Sequence, residues 1–229
     1  RLAGPNSTGP RQISHGELAR DFLPWNVDGV RPADLRICKQ EGRPIAVLTA
    51  WDALSAALVE QAGADVTRFV MLTRKNDVAL DFDFAKVLEQ SKDNPVFYVQ
   101  YANARINSVL RKAQAAGLDV SDAALAKADL AQLSHPAEID MAQQIAEWPR
   151  EVEIAAKGNE PHRIAFFLYE LASEFHGLWN RGNDDPSLRF IQEGKDATSC
   201  AKIALARATG VVISAGLAIL GVKPAEEMR

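Results

Sequence analysis

Cysteine is scarce. Only Cys38 and Cys200 occur in the 229 residues. They lie far apart and form no C-x-x-C pair, which argues against a disulfide framework or a cysteine-rich zinc site and leaves two ordinary buried or half-buried thiols. His15, His135, His162 and His176 fall into no H-x-x-x-H or similar spacing, so a histidine metal centre is not expected. There is no G-x-G-x-x-G, no G-x-x-x-x-G-K-[ST] and no G-x-S-x-G, which removes the recognisable phosphate cradles and the nucleophile elbow. No stretch approaches the roughly 20 continuous apolar residues of a membrane span. The opening RLAGPNSTGPRQ lacks a signal-peptide core, so a cytoplasmic setting with no membrane partner is expected. Methionine is missing from the start: Arg1 stands first and Met71 is the first methionine, so the chain reads as a piece of a longer frame.

What is present is apolar helix. A hydrophobic share of 47% is enough for a real core, in one large or two small domains. The formal charge of −4 does not mark a bulk nucleic-acid binder, although such recognition depends on local patches rather than totals. Residues 1–30 carry scattered Gly and Pro without periodicity and are expected to be poorly ordered. Residues 31–65 read as a β/α fragment. In it a helix from Pro32 to Gln40 precedes the short β-branched run IAVLTA, and DALSAALVEQAG follows as a second helix, with Asp52 as N-cap and Gly63 at its stop.

The parallel strand that such a unit calls for never arrives, and helical periodicity dominates from Arg68 onward. TRFVMLTRK reads as helical or mixed, and LDFDFAKVLEQS starts a helix in which Asp81 and Asp83 act as caps rather than as a metal site. DNPVFYVQYANARINSVLRKAQAAG is the clearest helix, with Asp93 or Asn94 as N-cap, Pro95 in the first turn and a stop at Gly117. DVSDAALAKADLAQL is read as a further helix. HPAEIDMAQQIAEWPREVEIAAKG is read as two helices broken at Pro149, PHRIAFFLYELASEFHGLWNRG as one capped by Gly182, and DATSCAKIALARATGVVISAGLAILGV as the last. The fold class expected is therefore mainly α, an all-α bundle of five or six helices beyond about Tyr98.

One helix carries two stripes. Leu168, Leu171, Phe175 and Leu178 mark a core face. About 100° round the wheel lie Tyr169, Ala172, His176 and Trp179, which mix flat rings with polar tips. Such rings can stack on unpaired bases, or they can finish the core with their tips at its rim. Arg163, Arg181, Arg189, Lys202 and Arg207 sit on segments that a compact bundle draws together. They read either as phosphate contacts or as a solvated face.

Two resemblances follow. RFVMLTRKNDVALDFDFAKVLEQSKDNPVFYVQYANAR, EPHRIAFFLYELASEFHGLWN and GLAILGVKPAEEM resemble, in order, the C-terminal part of bacterial arginine–tRNA ligases, class I aminoacyl-tRNA synthetases with a DALR-type anticodon-binding domain. That resemblance covers about Asp65 to Arg229, with residues 66–93 as connecting helices from the end of the catalytic region and residues 94–229 as the anticodon-binding bundle. It implies an arginine-accepting tRNA as partner and a monomer. It also implies tRNA-binding roles at Tyr98, Tyr101, Arg105, Arg163, Tyr169, His176, Trp179, Asn180 and Met228. Trp179 stands where the family usually has Tyr or Phe. The family's HIGH-type and KMSK-type motifs are missing, so no catalytic residue and no metal is assigned; ATP and arginine belong to the full-length family, and the chain alone is not expected to form arginyl-adenylate. Residues 32–65 resemble the first β/α unit of ketopantoate hydroxymethyltransferases, metal-dependent barrels, but the aspartate that the next strand would bring is replaced by VTRFVML. The alternatives to tRNA binding are a fragment of such a barrel enzyme, or a fused or truncated frame with no activity of its own.

Overall fold

Asn94 starts the bundle. Its side chain accepts a hydrogen bond from the Phe97 N–H at 3.2 Å, Pro95 occupies the first turn, and the helix α2 runs Pro95–Ala115. It stops where Gly117 takes φ +89° and the Leu118 N–H returns to the Ala113 carbonyl at 3.1 Å, a glycine-terminated turn that satisfies the last carbonyls. The computed structural model describes residues 63–75, 89 and 94–228, and all but the first two of these belong to one unit, Asp65–Arg229. The elements expected before residue 63, and the segment with Asp81 and Asp83, lie outside the described residues.

Ahead of α2 comes α1, Ala64–Leu72, whose Phe69 is fully buried. After α2 the chain makes a four-residue helix α3, Asp122–Leu125, and a 3-10 turn at Leu130–Gln132. This replaces the single helix expected over DVSDAALAKADLAQL. Ser121 and Asp129 each accept a backbone N–H two or three residues on, and such local side-chain bonds compete with helix propagation. Helix α4, Pro136–Gly158, passes through Pro149 without a break, which corrects the expected pair of helices. Proline removes one i→i−4 bond at a cost of about 3 kcal/mol, and here the flanking turns are held by packing on α5.

Helix α5, Pro161–Asp184, also outruns its expected stop. Gly182 is buried inside it, against the returning backbone of Leu188 and Arg189, so it serves as a contact point and not as a cap. The last helix, α6, Asp196–Ile219, packs on α2, α4 and α5. By length and composition it could cross a membrane, with a mean hydropathy of 1.5. Its apolarity is that of a core helix, because Ala201, Ile203, Ala206, Ile213 and Leu217 are fully buried. Gly216 allows α5 to approach, since a Cβ there would stand 2.6 Å from Leu168 Cδ2. Among the described residues the architecture is helical with no strand, as the periodicity predicts.

Burial along α5 follows the first stripe: Leu168, Leu171 and Phe175 are fully buried and Leu178 nearly so. Among the described residues, a carboxylate and an ammonium are buried together at one place. Lys202 of α6 pairs with Glu138 of α4, both almost wholly buried. Glu138 also accepts the Ser134 and His135 N–H groups at 3.2 and 3.1 Å, so one carboxylate caps α4 and ties it to α6. Lys202 is therefore internal and is removed from the expected basic surface.

Candidate nucleic-acid interface

Where α2 and α5 meet, their side chains form a continuous run of rings. The Tyr98 ring lies 5.2 Å from that of Tyr169 and 4.5 Å from His176, and Tyr101 lies 5.5 Å from His176. Farther along, Trp179 sits 6.3 Å from Phe175 and 6.2 Å from Phe190. The second stripe of α5 thus faces α2. Ala172 is fully buried and His176 nearly so, while Tyr169 and Trp179 are half-buried. His176 has the rim-of-core placement, and the two larger rings keep an open edge.

Arg105 sits among these rings. Its Nη1 donates to His176 Nδ1 at 3.0 Å and its Nη2 to the Tyr101 hydroxyl at 3.0 Å. Its guanidinium stacks 4.2 Å from the Tyr101 ring centre and 5.1 Å from that of Trp179, within cation–π range. The other nitrogen of His176, Nε2, lies 3.2 Å from the Tyr98 carbonyl. A guanidinium can only donate and a carbonyl can only accept, so Nδ1 is bare and Nε2 carries the proton. The ring is held neutral. Burial pushes its pKa down to about 4, the Arg105 charge pushes the same way, and the bond to the Tyr98 carbonyl opposes both.

The chain end completes the site. Gly221, at φ +69°, turns the backbone after α6, and the Val222 N–H closes on the Leu217 carbonyl at 2.8 Å. The tail then runs back along α2. Gln100 Nε2 donates to the Lys223 carbonyl at 3.0 Å and Asn103 Nδ2 to the Ala225 carbonyl at 2.9 Å. The Ser214 hydroxyl donates to Asn103 Oδ1 at 3.3 Å, which fixes the orientation of that side-chain amide. From α1, Asp65 accepts the Lys223 N–H at 3.2 Å and Arg68 donates to the Gly221 carbonyl. Arg111 pairs with Glu227 at 3.5 Å. The tail thereby brings Met228 to the wall of a cavity of about 390 Å³, shared with Tyr101, Arg105, Ser108, Lys112 and Trp179.

Of the nine positions named from the sequence, Tyr98, Tyr101, Arg105, Tyr169, His176, Trp179 and Met228 come together here. Arg163 does not. It is in the first turn of α5, about 24 Å of helix from Trp179, and it is neutralised by Glu160 and by Glu151 at 3.2 Å. Asn180 is exposed beside Trp179. Arg207 is spent on a forked pair with Asp122 at 2.8 and 3.2 Å. Arg111 and Lys112, two further basic residues that line the cavity with Arg105, escaped the sequence reading, although they follow Arg105 by six and seven positions on the same helix. Asn103 and Phe190 escaped it too. Among the described residues no cluster of His, Cys, Asp and Glu is arranged to hold a metal.

Residues 99–228 match the model of the family described as DALR anticodon binding domain. An arginine–tRNA ligase of Paracoccus denitrificans is 76% identical over 172 residues, which is 75% of this chain and 30% of that protein. One from Ruegeria pomeroyi is 62% identical over 214 residues, 88% of this chain and 36% of the relative. The chain thus spans about a third of the length of the curated relatives it matches. The second match takes in more of the chain than residues 65–229 contain, so the similarity reaches upstream of Asp65, into residues expected to be foreign. Among solved structures, the fold is similar to that of the Thermus thermophilus arginyl-tRNA synthetase, with a TM-score of 0.59 and 24% identity over 84% of this chain and 30% of that one.

Proposed function

This chain belongs to the DALR anticodon binding domain family, and we propose that it binds the anticodon region of an arginine-accepting tRNA as the C-terminal portion of an arginine–tRNA ligase. The observation that carries this reading is the Arg105 cluster. A guanidinium held in place by His176 and Tyr101 stands beside the half-buried Trp179 indole, at the mouth of a cavity that the chain end closes. Flat rings provide stacking faces for any unpaired base, at about 1–3 kcal/mol per base. A fixed guanidinium can bridge two acceptors on one base edge, and Arg111 and Lys112 at the rim can attract backbone phosphate. The barrel-enzyme alternative gains nothing, because all but the last three of the residues it rests on lie outside those described and no strand occurs among the described ones. ATP and arginine remain matters for the longer relatives, and we carry this chain as a cytoplasmic monomer without adenylate-forming activity of its own.

Fluorescence anisotropy with labelled arginine-accepting tRNA, at several salt concentrations, tests the proposal. Binding should weaken with salt, and Trp179→Ala should lower affinity by roughly 5- to 100-fold, the value of one lost stack. Equal affinity for that tRNA and for an unrelated RNA hairpin would overturn it.

A further inference from the structure

The tail is seated on two helices, and one of them contributes nothing to the cavity that Met228 closes. Residues 223–228 form no helix and none of them is buried, so polar bonds supply most of their hold. The Lys223 peptide is gripped from both sides: its N–H donates to Asp65 of α1 at 3.2 Å, and its carbonyl accepts from Gln100 of α2 at 3.0 Å. Two residues earlier, the Gly221 carbonyl accepts from Arg68 of α1. We propose that Asp65 and Arg68 are positioning residues of the RNA site, which act on it through the tail by aiming Met228 at the cavity beside Arg105 and Trp179; this rests on the RNA-binding reading above.

Helix α1 has the form of a fixed post. Phe69 is fully buried and Thr67 nearly so, which pins the helix to the bundle. Asp65 and Arg68 stand half-buried three positions apart, so they are neighbours on one helix face. Met228 lies five residues beyond Lys223, up to about 17 Å of extended chain. Over that reach, among the described residues, the tail is held by Asn103 at the Ala225 carbonyl and by the exposed Arg111–Glu227 pair. A segment with so little burial is ordered only as far as its bonds offset the entropy of fixing it. Removing the two α1 bonds therefore lowers the seated fraction, and the affinity of a site that needs the seated tail falls by the same factor.

The test combines Asp65→Ala with Arg68→Ala in the full chain, a pair of changes that leaves the net charge, and with it the general attraction to RNA, unaltered. Affinity for labelled arginine-accepting tRNA should fall about 3- to 10-fold, the worth of bonds lost from the seated state alone. Asp65→Asn, whose amide oxygen can still accept the Lys223 N–H, should retain the parent affinity. In a chain ending at Val222, which keeps every helix, the double substitution should have no further effect. Carbon-13 methyl spectra of the free protein give a second reading. The Met228 methyl shares its cavity with the Tyr101 and Trp179 rings and should move toward the position of an exposed methionine in the double variant, while that of the fully buried Met141 stays in place. An unmoved Met228 methyl, an unchanged affinity, or an equal loss in the full and shortened chains overturns the proposal, and a loss with Trp179→Ala then leaves the parent reading standing. Equal affinity of the unaltered chain for that tRNA and for an unrelated hairpin overturns both.

Discussion

Lowering the pH should loosen the ring cluster through one residue. His176 is almost fully buried, is held neutral between Arg105 and the Tyr98 carbonyl, and has its pKa pushed down to about 4 from an ordinary 6.5, first by burial and second by the Arg105 charge. A histidine whose folded pKa lies below its unfolded one binds fewer protons when folded, so stability falls as pH falls. The contribution is complete above about pH 6.5 and is lost progressively as pH drops through about 4. A shift of this size corresponds to about 3 kcal/mol at most, and to about 2 kcal/mol once solvent at the open edge of the cluster is allowed for.

The comparison that isolates the effect is with His176→Gln, whose amide can accept from Arg105 and donate to the Tyr98 carbonyl without titrating. Urea unfolding, followed by far-UV circular dichroism at about pH 7 and about pH 4.5, gives the difference between the two proteins, in which the surface carboxylates they share cancel. That difference should narrow by about 1–2 kcal/mol in disfavour of the histidine protein. Nuclear magnetic resonance of the imidazole should show a midpoint near 4. A difference that stays constant across this range, together with a midpoint near the ordinary 6.5, would refute the picture of a neutral His176 bracing Arg105.

Two further substitutions test the scaffold behind the site. Lys202→Met strands the Glu138 carboxylate inside the bundle and should cost about 3 kcal/mol in chemical denaturation, the low end for a broken buried pair because the Ser134 and His135 N–H bonds remain; adding Glu138→Gln should restore part of that loss, and a neutral single variant would contradict the buried pairing. Gly216→Ala forces a methyl group to within 2.6 Å of Leu168 and should lower stability by about 1–3 kcal/mol, readable as a drop in melting temperature, whereas a melting temperature that rises would show that α5 and α6 are not in close contact there.

The parts legible in the sequence were those governed by period and by caps. Pro95 after Asn94, and the fully apolar stripe Leu168, Leu171, Phe175, Leu178, state their structure locally, and both are found as read. The misreadings share a physical cause, which is that tertiary contacts overrode local signals. Pro149 reads as a break, yet α4 continues through it; Gly182 reads as a cap, yet it lies inside the last turn of α5, where a returning segment packs on it. Lys202 reads as surface charge because nothing local shows that Glu138, 64 positions away, will be buried opposite. The second stripe of α5 was ambiguous for the same reason: its period says which residues share a face, and only the position of α2 decides how much of that face is covered.

How the tail is seated bears on what counts as the site. The matched family segment begins at residue 99, but two of the hydrogen bonds that hold the tail come from Asp65 and Arg68 on α1. The Gly221 carbonyl reaches Arg68 because that residue adopts a positive φ, and a Cβ there would stand 3.1 Å from the guanidinium, so glycine meets two demands at once. Tail residues beyond Val222 have little apolar burial to hold them, and an unstructured chain end is ordered only as far as its bonds offset the entropy of fixing it. With Gln100, Asn103 and Arg111 on one side and α1 on the other, Met228 is held where the cavity is. The seating of the tail therefore depends on a helix that precedes the family segment, because α1 supplies two of the bonds that hold it.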